Sequence, residues 1–264
     1  MSTATDDVSR LVMTEVNGFI ATVGLSHGPL NLVTTDLLRE LNEALTAVSA
    51  MDGVRCLILH GGQSRAFCAG SDIKEFARIR EQASEKKILF EDMVLRRLAR
   101  LPMPTIAAID GAALGGGLEL ALACDLRVAR HGVAMGLTEA RLGGLAGSGS
   151  LRLTRLVGPA RAKLMLFTGE TIDCEQALSW GLVDRVTRDG TALEAAFELA
   201  GTIASRGPVS NRLAKELVDA ALDLPLDAGL SMSTVALQKI FDSKDLHEGV
   251  DAFFARRPPS FKGR

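Results

Sequence analysis

The stretch TIAAIDGAALGGGLELALAC, residues 105–124, decides how this chain is read. Residues 105–111 form a short apolar run that ends at turn residues, as a buried strand does. Residues 112–124 are apolar on nearly every side, the pattern of a helix enclosed in a core. Three successive glycines, Gly115–Gly117, separate the strand from the helix. Inside that helix stands one carboxylate, Glu119. Ionised and without a partner it would cost several kcal/mol, roughly the whole margin by which a domain is stable. It therefore needs a use. The run is about as long as a membrane span, but Asp110, Glu119 and four glycines favour a soluble core segment.

The alternation continues outward. FIATVGL (19–25) and CLILHG (56–61) are further strand-like runs. Leu37, Leu38, Leu41, Leu45 and Val48 recur at helical spacing behind Thr34 or Thr35 as a cap. A more charged helical stretch covers residues 86–100. Repeated strand and helix units predict an α/β class. From Gly158 onward the strand signal nearly vanishes. LVGPARAKLMLF (156–167) reads as one helix, TIDCEQALSWG (171–181) as another that stops at Gly181, and LVDRV (182–186) as a short strand. Gly207-Pro208 punctuates the chain, and helical patterning follows almost to the basic tail ARRPPSFKGR.

Composition excludes several classes of function. The 264 residues carry 30 basic and 32 acidic side chains, a net charge of −2, so no global field recruits polyanions. With no Tyr, one Trp and ten Phe there is little material for stacking nucleic-acid bases. Cys56, Cys68, Cys124 and Cys174 form no CxxC pair, which favours reduced thiols over a zinc site or a disulfide framework. His27, His60, His131 and His247 lack HExxH or any close pairing, so no metal site is expected. The opening MSTATDDVSR is polar, with no apolar stretch behind a basic head, and a soluble cytoplasmic protein is expected. Mean hydropathy is +0.19, that of a globular chain.

Two segments offer backbone N–H groups for chemistry. Gly115–Gly117 stand at the start of the Glu119 helix, where unpaired N–H groups and the helix dipole favour an anion. AFCAGSDIKEF (66–76) is the second such segment, with Ser71 and Asp72 near a helix start. Alone, the glycines read first as room for tight helix–sheet packing, and Asp72 as an ordinary N-cap. Together, two helix starts behind two central strands would aim N–H groups at one point, as an oxyanion hole requires. Neither segment ends as a phosphate loop or matches GxGxxG, and GQSRA (62–66) misses the nucleophile elbow. Glu139, in MGLTEARLGG (135–144), supplies a second acid. On spacing alone it reads as a surface or capping residue near Arg141. Close to Glu119, the two would raise each other's pKa and share proton transfer near neutrality. Glycoside hydrolysis also uses two carboxylates, but usually with the aromatics this chain lacks.

With both glycine segments and both acids in view, the chain resembles the crotonase (enoyl-CoA hydratase/isomerase) superfamily over nearly its whole length. DGVRCLILHGGQSRAFCAGSDIKEF (52–76) is similar to the family's first signature and PTIAAIDGAALGGGLELALACDLRVA (104–129) to its second. GPARAKLMLFTGETIDCEQALSWGLVDRV (158–186) and SKDLHEGVDAFFARRPPSF (243–261) also resemble it. The resemblance implies a spiral of ββα units over residues 1–206, carrying an acyl-CoA site. A helical portion over 207–264 would build a homotrimer, often paired into a hexamer. The N–H groups of Ser71 and Gly116 would form the oxyanion hole on the thioester carbonyl. Backbone from Ala69 through Gly70, Asp72 and Ile73 to Lys74 would line the CoA, and Glu119 and Glu139 fall on the two catalytic glutamates. Coenzyme A belongs to the substrate, and neither a metal nor an organic cofactor is implied. Hydration of a 2-trans-enoyl-CoA is the leading expectation; a double-bond isomerase or a specialised dehydratase is the alternative, and a non-catalytic RNA-binding member the remote one. One departure stands out. The family's Pro- and Gly-rich run after the second glutamate is here LGGLAGSGSLRL (142–153), one residue shorter and without proline. Ala146 or Gly147 is expected to offer the N–H that helps hold water.

Overall fold

Alternate residues of the central strands face two different cores, which is why the strands read as unbroken apolar runs. In the computed structural model, which describes residues 10–264, the main sheet has six strands. They run, in order across the sheet, β1 (Val12–Asn17), β2 (Ile20–Leu25), β3 (Cys56–His60), β4 (Thr105–Ile109), β6 (Leu126–Arg130) and β9 (Arg185–Thr187). Only β1 pairs antiparallel; the rest of the ladder is parallel. Leu57, Leu59, Ala107 and Ile109 point into the larger core, with α1 (Thr35–Ser49) and, beyond α2 (Ile73–Ile79), α3 (Leu89–Ala99). Cys56, Ile58, Ile106 and Ala108 point the other way, onto the alanine face of a later helix.

A second, smaller sheet gives the fold its spiral form. It holds β5 (Ala113–Leu114), β7 (Ala134–Gly136) and β8 (Ile172–Asp173), and single bridges extend its line from Val33 to Ser71 and from Cys68 to Ala113. The turns of chain thus give one strand to the main sheet and one to the minor sheet, with helices between them; in the last turn β8 precedes its helix and β9 follows it. Those helices are α4 (Gly116–Leu122), α5 (Gly147–Val157), α6 (Pro159–Thr168) and α7 (Cys174–Trp180). Next, α8 (Ala192–Ala204) lays Ala192, Ala196 and Ala200 against the main sheet. Asp110 fixes its start, accepting from Ala192 N at 2.7 Å.

The chain ends in α9 (Pro208–Ala221), α10 (Leu226–Phe241) and α11 (Lys244–Phe254), around a small cluster of Val209, Leu213 and Ala236. Lys215 ties them to the sheet through Asp125, Nζ to Oδ2 at 2.9 Å. Among the described residues no helix is long and apolar enough to cross a membrane. The four cysteines are unpaired and buried. Residues 1–9, whose composition suggested no targeting segment, lie outside the described part.

Two expectations are corrected. Residues 156–167 are not one helix: Gly158, at φ +80°, ends α5 and α6 begins at Pro159. The strand expected at 182–186 sits three residues later, because Leu182 and Val183 turn into the core and Asp184 accepts from Arg127 N at 2.7 Å.

Candidate active site

The chain leaving β3 must double back before it can offer Ser71, and a single side chain organises that return. Asn31, buried at φ +49°, donates through Nδ2 to the carbonyls of Gly61 (2.8 Å), Ala66 (3.2 Å) and Phe67 (3.1 Å). Cys68 is then lashed to the chain after β4. Its N–H donates to Ala112 O at 3.2 Å, and its carbonyl accepts from Leu114 N at 3.0 Å. Both expected helix starts are thereby brought side by side.

The three glycines do three different things. Gly115 takes φ +52° at the N-cap of α4, a conformation that side chains rarely adopt. On Gly117 a methyl group would lie 2.0 Å from Cys68 O, so this position serves the close packing read from the sequence. On Gly116 a methyl group would lie 3.7 Å from Ser71 N and 3.1 Å from Ser71 Oγ. The peptide N–H groups of Ser71 and Gly116 are therefore neighbours. Neither donates to a partner among the described residues.

Ser71 and Gly115 line a cavity of about 480 Å³, within the usual range for small-molecule sites; Gly116, expected at the substrate, is not among its lining residues. Ala69, Gly70, Ser71 and Ile73 line one wall, Glu119 and Glu139 another. Asp72 and Lys74 do not line it. Asp72 accepts from Lys74 N at 2.8 Å and caps α2, and Lys74 is exposed.

Glu119 is buried on α4 and receives one hydrogen bond, from Gly149 N to Oε1 at 2.5 Å. Burial pushes its carboxyl up to about 7; the Gly149 bond opposes the rise, and the charges of Glu91 and Glu139 add to it. Glu139 opens a 3₁₀ turn, Glu139–Leu142, that follows β7. It is not the surface residue its spacing suggested. Burial raises its pKa too, and its buried Oε2 has no hydrogen-bond partner. A matched pair of this kind can hold a water molecule and pass protons beside a developing oxyanion.

Three features were missed in the sequence. Ala146 caps α5 and is buried, Gly147 lines the cavity, and the loop N–H that reaches the acid is that of Gly149. Glu91, read as part of a charged helix, faces the same cavity from α3. His131, Cys174 and Glu175 converge elsewhere on the molecule, with His131 Nδ1 3.2 Å from Glu175 Oε1. Arg188 donates to that same oxygen at 3.1 Å and supplies its counter-charge. Long-range pairing of this sort leaves no local signal.

Comparisons with known proteins find relatives along nearly the whole chain. A family model described as enoyl-CoA hydratase/isomerase matches residues 15–264. The chain is 36% identical over 264 residues to the mitochondrial methylglutaconyl-CoA hydratase of Rattus norvegicus, covering 98% of this chain and 84% of that one. It is 33% identical over 256 residues to the short-chain-enoyl-CoA hydratase of Clostridium acetobutylicum, covering 96% and 98%. The crystal structure of an enoyl-CoA hydratase from Bacillus anthracis superposes with a TM-score of 0.93 at 37% identity, over 97% of this chain and 100% of that one.

Proposed function

Because the chain belongs to the enoyl-CoA hydratase/isomerase family, whose members act on acyl-CoA thioesters, we propose that it is an enoyl-CoA hydratase adding water to a 2-trans-enoyl-CoA. The observation that carries the reading is the pairing of Glu119 and Glu139 in one cavity with Ser71, whose free N–H has Gly116 beside it. The thioester carbonyl accepts from both N–H groups, which stabilise the enolate as its charge develops; one such donor is typically worth about 3 kcal/mol. One glutamate, as carboxylate, takes a proton from water while the water oxygen bonds to C3. The other, as carboxylic acid, delivers a proton to C2, so the pair's proton count is unchanged and the product is a 3-hydroxyacyl-CoA. Gly149 holds Glu119 in place for this work. Coenzyme A lies along Ala69–Lys74, with Lys74 outside the cavity, free to meet phosphate. The reaction so written needs neither metal nor organic cofactor.

Oxygen-18 water tests the proposal, with a 2-enoyl-CoA and a 3-enoyl-CoA as separate substrates. Label is expected in a 3-hydroxyacyl product from the first. Rapid conversion of the 3-enoyl to the 2-enoyl thioester with no hydroxy product would overturn it in favour of an isomerase.

A further inference from the structure

A third carboxyl, Glu91, enters the same cavity from α3, and neither the packing nor the hydration chemistry above accounts for it. The buried face of α3 is otherwise apolar, made by Val94, Leu95 and Leu98. Glu91 is 7% exposed, and its Oε1 lies 3.3 Å from the point where a methyl group on Gly116 would sit. The oxyanion N–H groups and this carboxyl are therefore close neighbours. The nearest cation, Lys87, is already engaged: its buried Nζ donates to Val33 O at 2.7 Å and to Glu75 Oε2 at 2.9 Å. Glu75 in turn accepts from Thr35 N at 3.1 Å. Among the described residues Glu91 has no hydrogen bond or ion pair of its own. A buried carboxyl in that condition is a cost to folding.

Resting on the proposed hydratase reading, we propose that Glu91 is a positioning residue that acts through Glu119, sharing the cavity's protons so that a carboxylic acid is at hand when substrate arrives. The charged groups around the cavity decide the balance. Glu91 and Asp92 face it from α3, with Asp92 tied to Arg96 at 2.7 Å. Glu119 faces it from α4 and Glu139 from its 3₁₀ turn. The Lys87–Glu75 pair stands behind Glu91, and Arg152, on α5, lowers the Glu119 pKa only as the weakest of its influences. Among the described residues no lysine or arginine lines the cavity. An enolate held at Ser71 and Gly116 adds negative charge beside Glu91, which an ionised Glu91 would oppose and a neutral one would not. Three acids in one low-dielectric space titrate as a unit rather than singly. Burial, countered by Lys87 and reinforced by Glu75 and Glu139, raises Glu91 as well.

Coupling of this kind is reciprocal, which supplies two independent variants. The carboxyl C=O band of the ligand-free enzyme is titrated by infrared spectroscopy, and kcat/KM for a short 2-enoyl-CoA is followed over the same pH range. In Glu91→Gln the remaining buried carboxyls are expected to titrate about one pH unit lower, with the ionisation limb of kcat/KM moving equally. In the double variant Glu119→Gln/Glu139→Gln, which leaves Glu91 as the buried glutamate of the cavity, one C=O band should persist and titrate below the parent's highest band, a readout that needs no turnover and stands even if Glu91→Gln fails to fold. Unchanged titrations in the variants that fold would overturn the proposal, since a merely structural Glu91 would alter stability alone. If the bands shift as expected and no enoyl-CoA is hydrated, the coupling holds and the hydratase reading falls.

Discussion

Glu119 is costly to the fold, and the sign of that cost can be measured. Its carboxyl is raised to about 7 in the native state, whereas an unfolded glutamate titrates near its ordinary value of 4.5. Between those values the native state holds a proton that the unfolded state has released, so stability falls as pH rises through this window. Glu119→Gln removes the penalty while keeping an oxygen for Gly149 N. The variant is expected to be more stable than the parent at pH 8, by roughly 1–3 kcal/mol, with the difference vanishing toward pH 4.5. Urea denaturation at both pH values checks it. The same variant and Glu139→Gln should each lower kcat/KM on the best 2-enoyl-CoA by about 10²–10⁴, with circular dichroism unchanged. Near-native turnover in either would remove the two-glutamate mechanism. A residue that stabilises the protein when neutralised, yet abolishes its chemistry, is there for the chemistry.

Glycine matters most where elements meet. The approach of α4 to the segment after β3 leaves no room at Gly117, where an added methyl would meet a backbone carbonyl at 2.0 Å. Gly117→Ala is therefore expected to cost at least about 3 kcal/mol, seen as a lower urea midpoint. At Gly149 a methyl would press on Glu119 Cγ and on Leu137, each at 3.0 Å. Gly149→Ala should spare more of the stability and lower kcat/KM about tenfold by displacing the acid. The two variants separate packing from positioning. The elements also differ in how legible they were. Thr34 and the spacing Leu37, Leu38, Leu41, Leu45, Val48 marked α1 plainly, and its cap and buried face follow them. By contrast α5 begins at Gly147 inside Gly-Ser-Gly-Ser, a string with poor helix propensity. Packing against α4 and the bond to Glu119 overrule that propensity.

At the scale of the whole molecule, one chain leaves much apolar surface uncovered. It exposes 14782 Å² at 28.0 kDa, where a monomeric protein of this mass exposes about 11,000 Å². The C-terminal helices contribute: Val218, Leu222, Leu226, Leu230, Phe253 and Phe254 are each more than half exposed. Large apolar side chains left exposed in this number on three neighbouring helices are what a protein contact would cover. We expect a homotrimer, or a hexamer made of two, and light scattering at micromolar concentration should read about three or six times 28.0 kDa. A monomer would refute the expectation. Lys215, which ties α9 to Asp125, would then join the helical portion to a core that stands alone.

The sequence by itself determined the α/β class, the strand-like runs at 19–25, 56–61 and 105–111, within which β2, β3 and β4 lie, and the α4 acid that needed a use. These were legible because apolar periodicity and a misplaced charge are local properties of the chain. It also pointed to the crotonase family, through two long signatures whose residue order is itself the information. Only the tertiary structure decided that Glu139 is half-buried, that Gly149 donates to Glu119, and that Glu91 faces the same cavity. Each depends on segments far apart in sequence: α3, α4, the turn after β7 and the first turn of α5. The physical reason is that a carboxyl's pKa and partners are set by burial and by neighbours in space, and strand pairing brings those neighbours together.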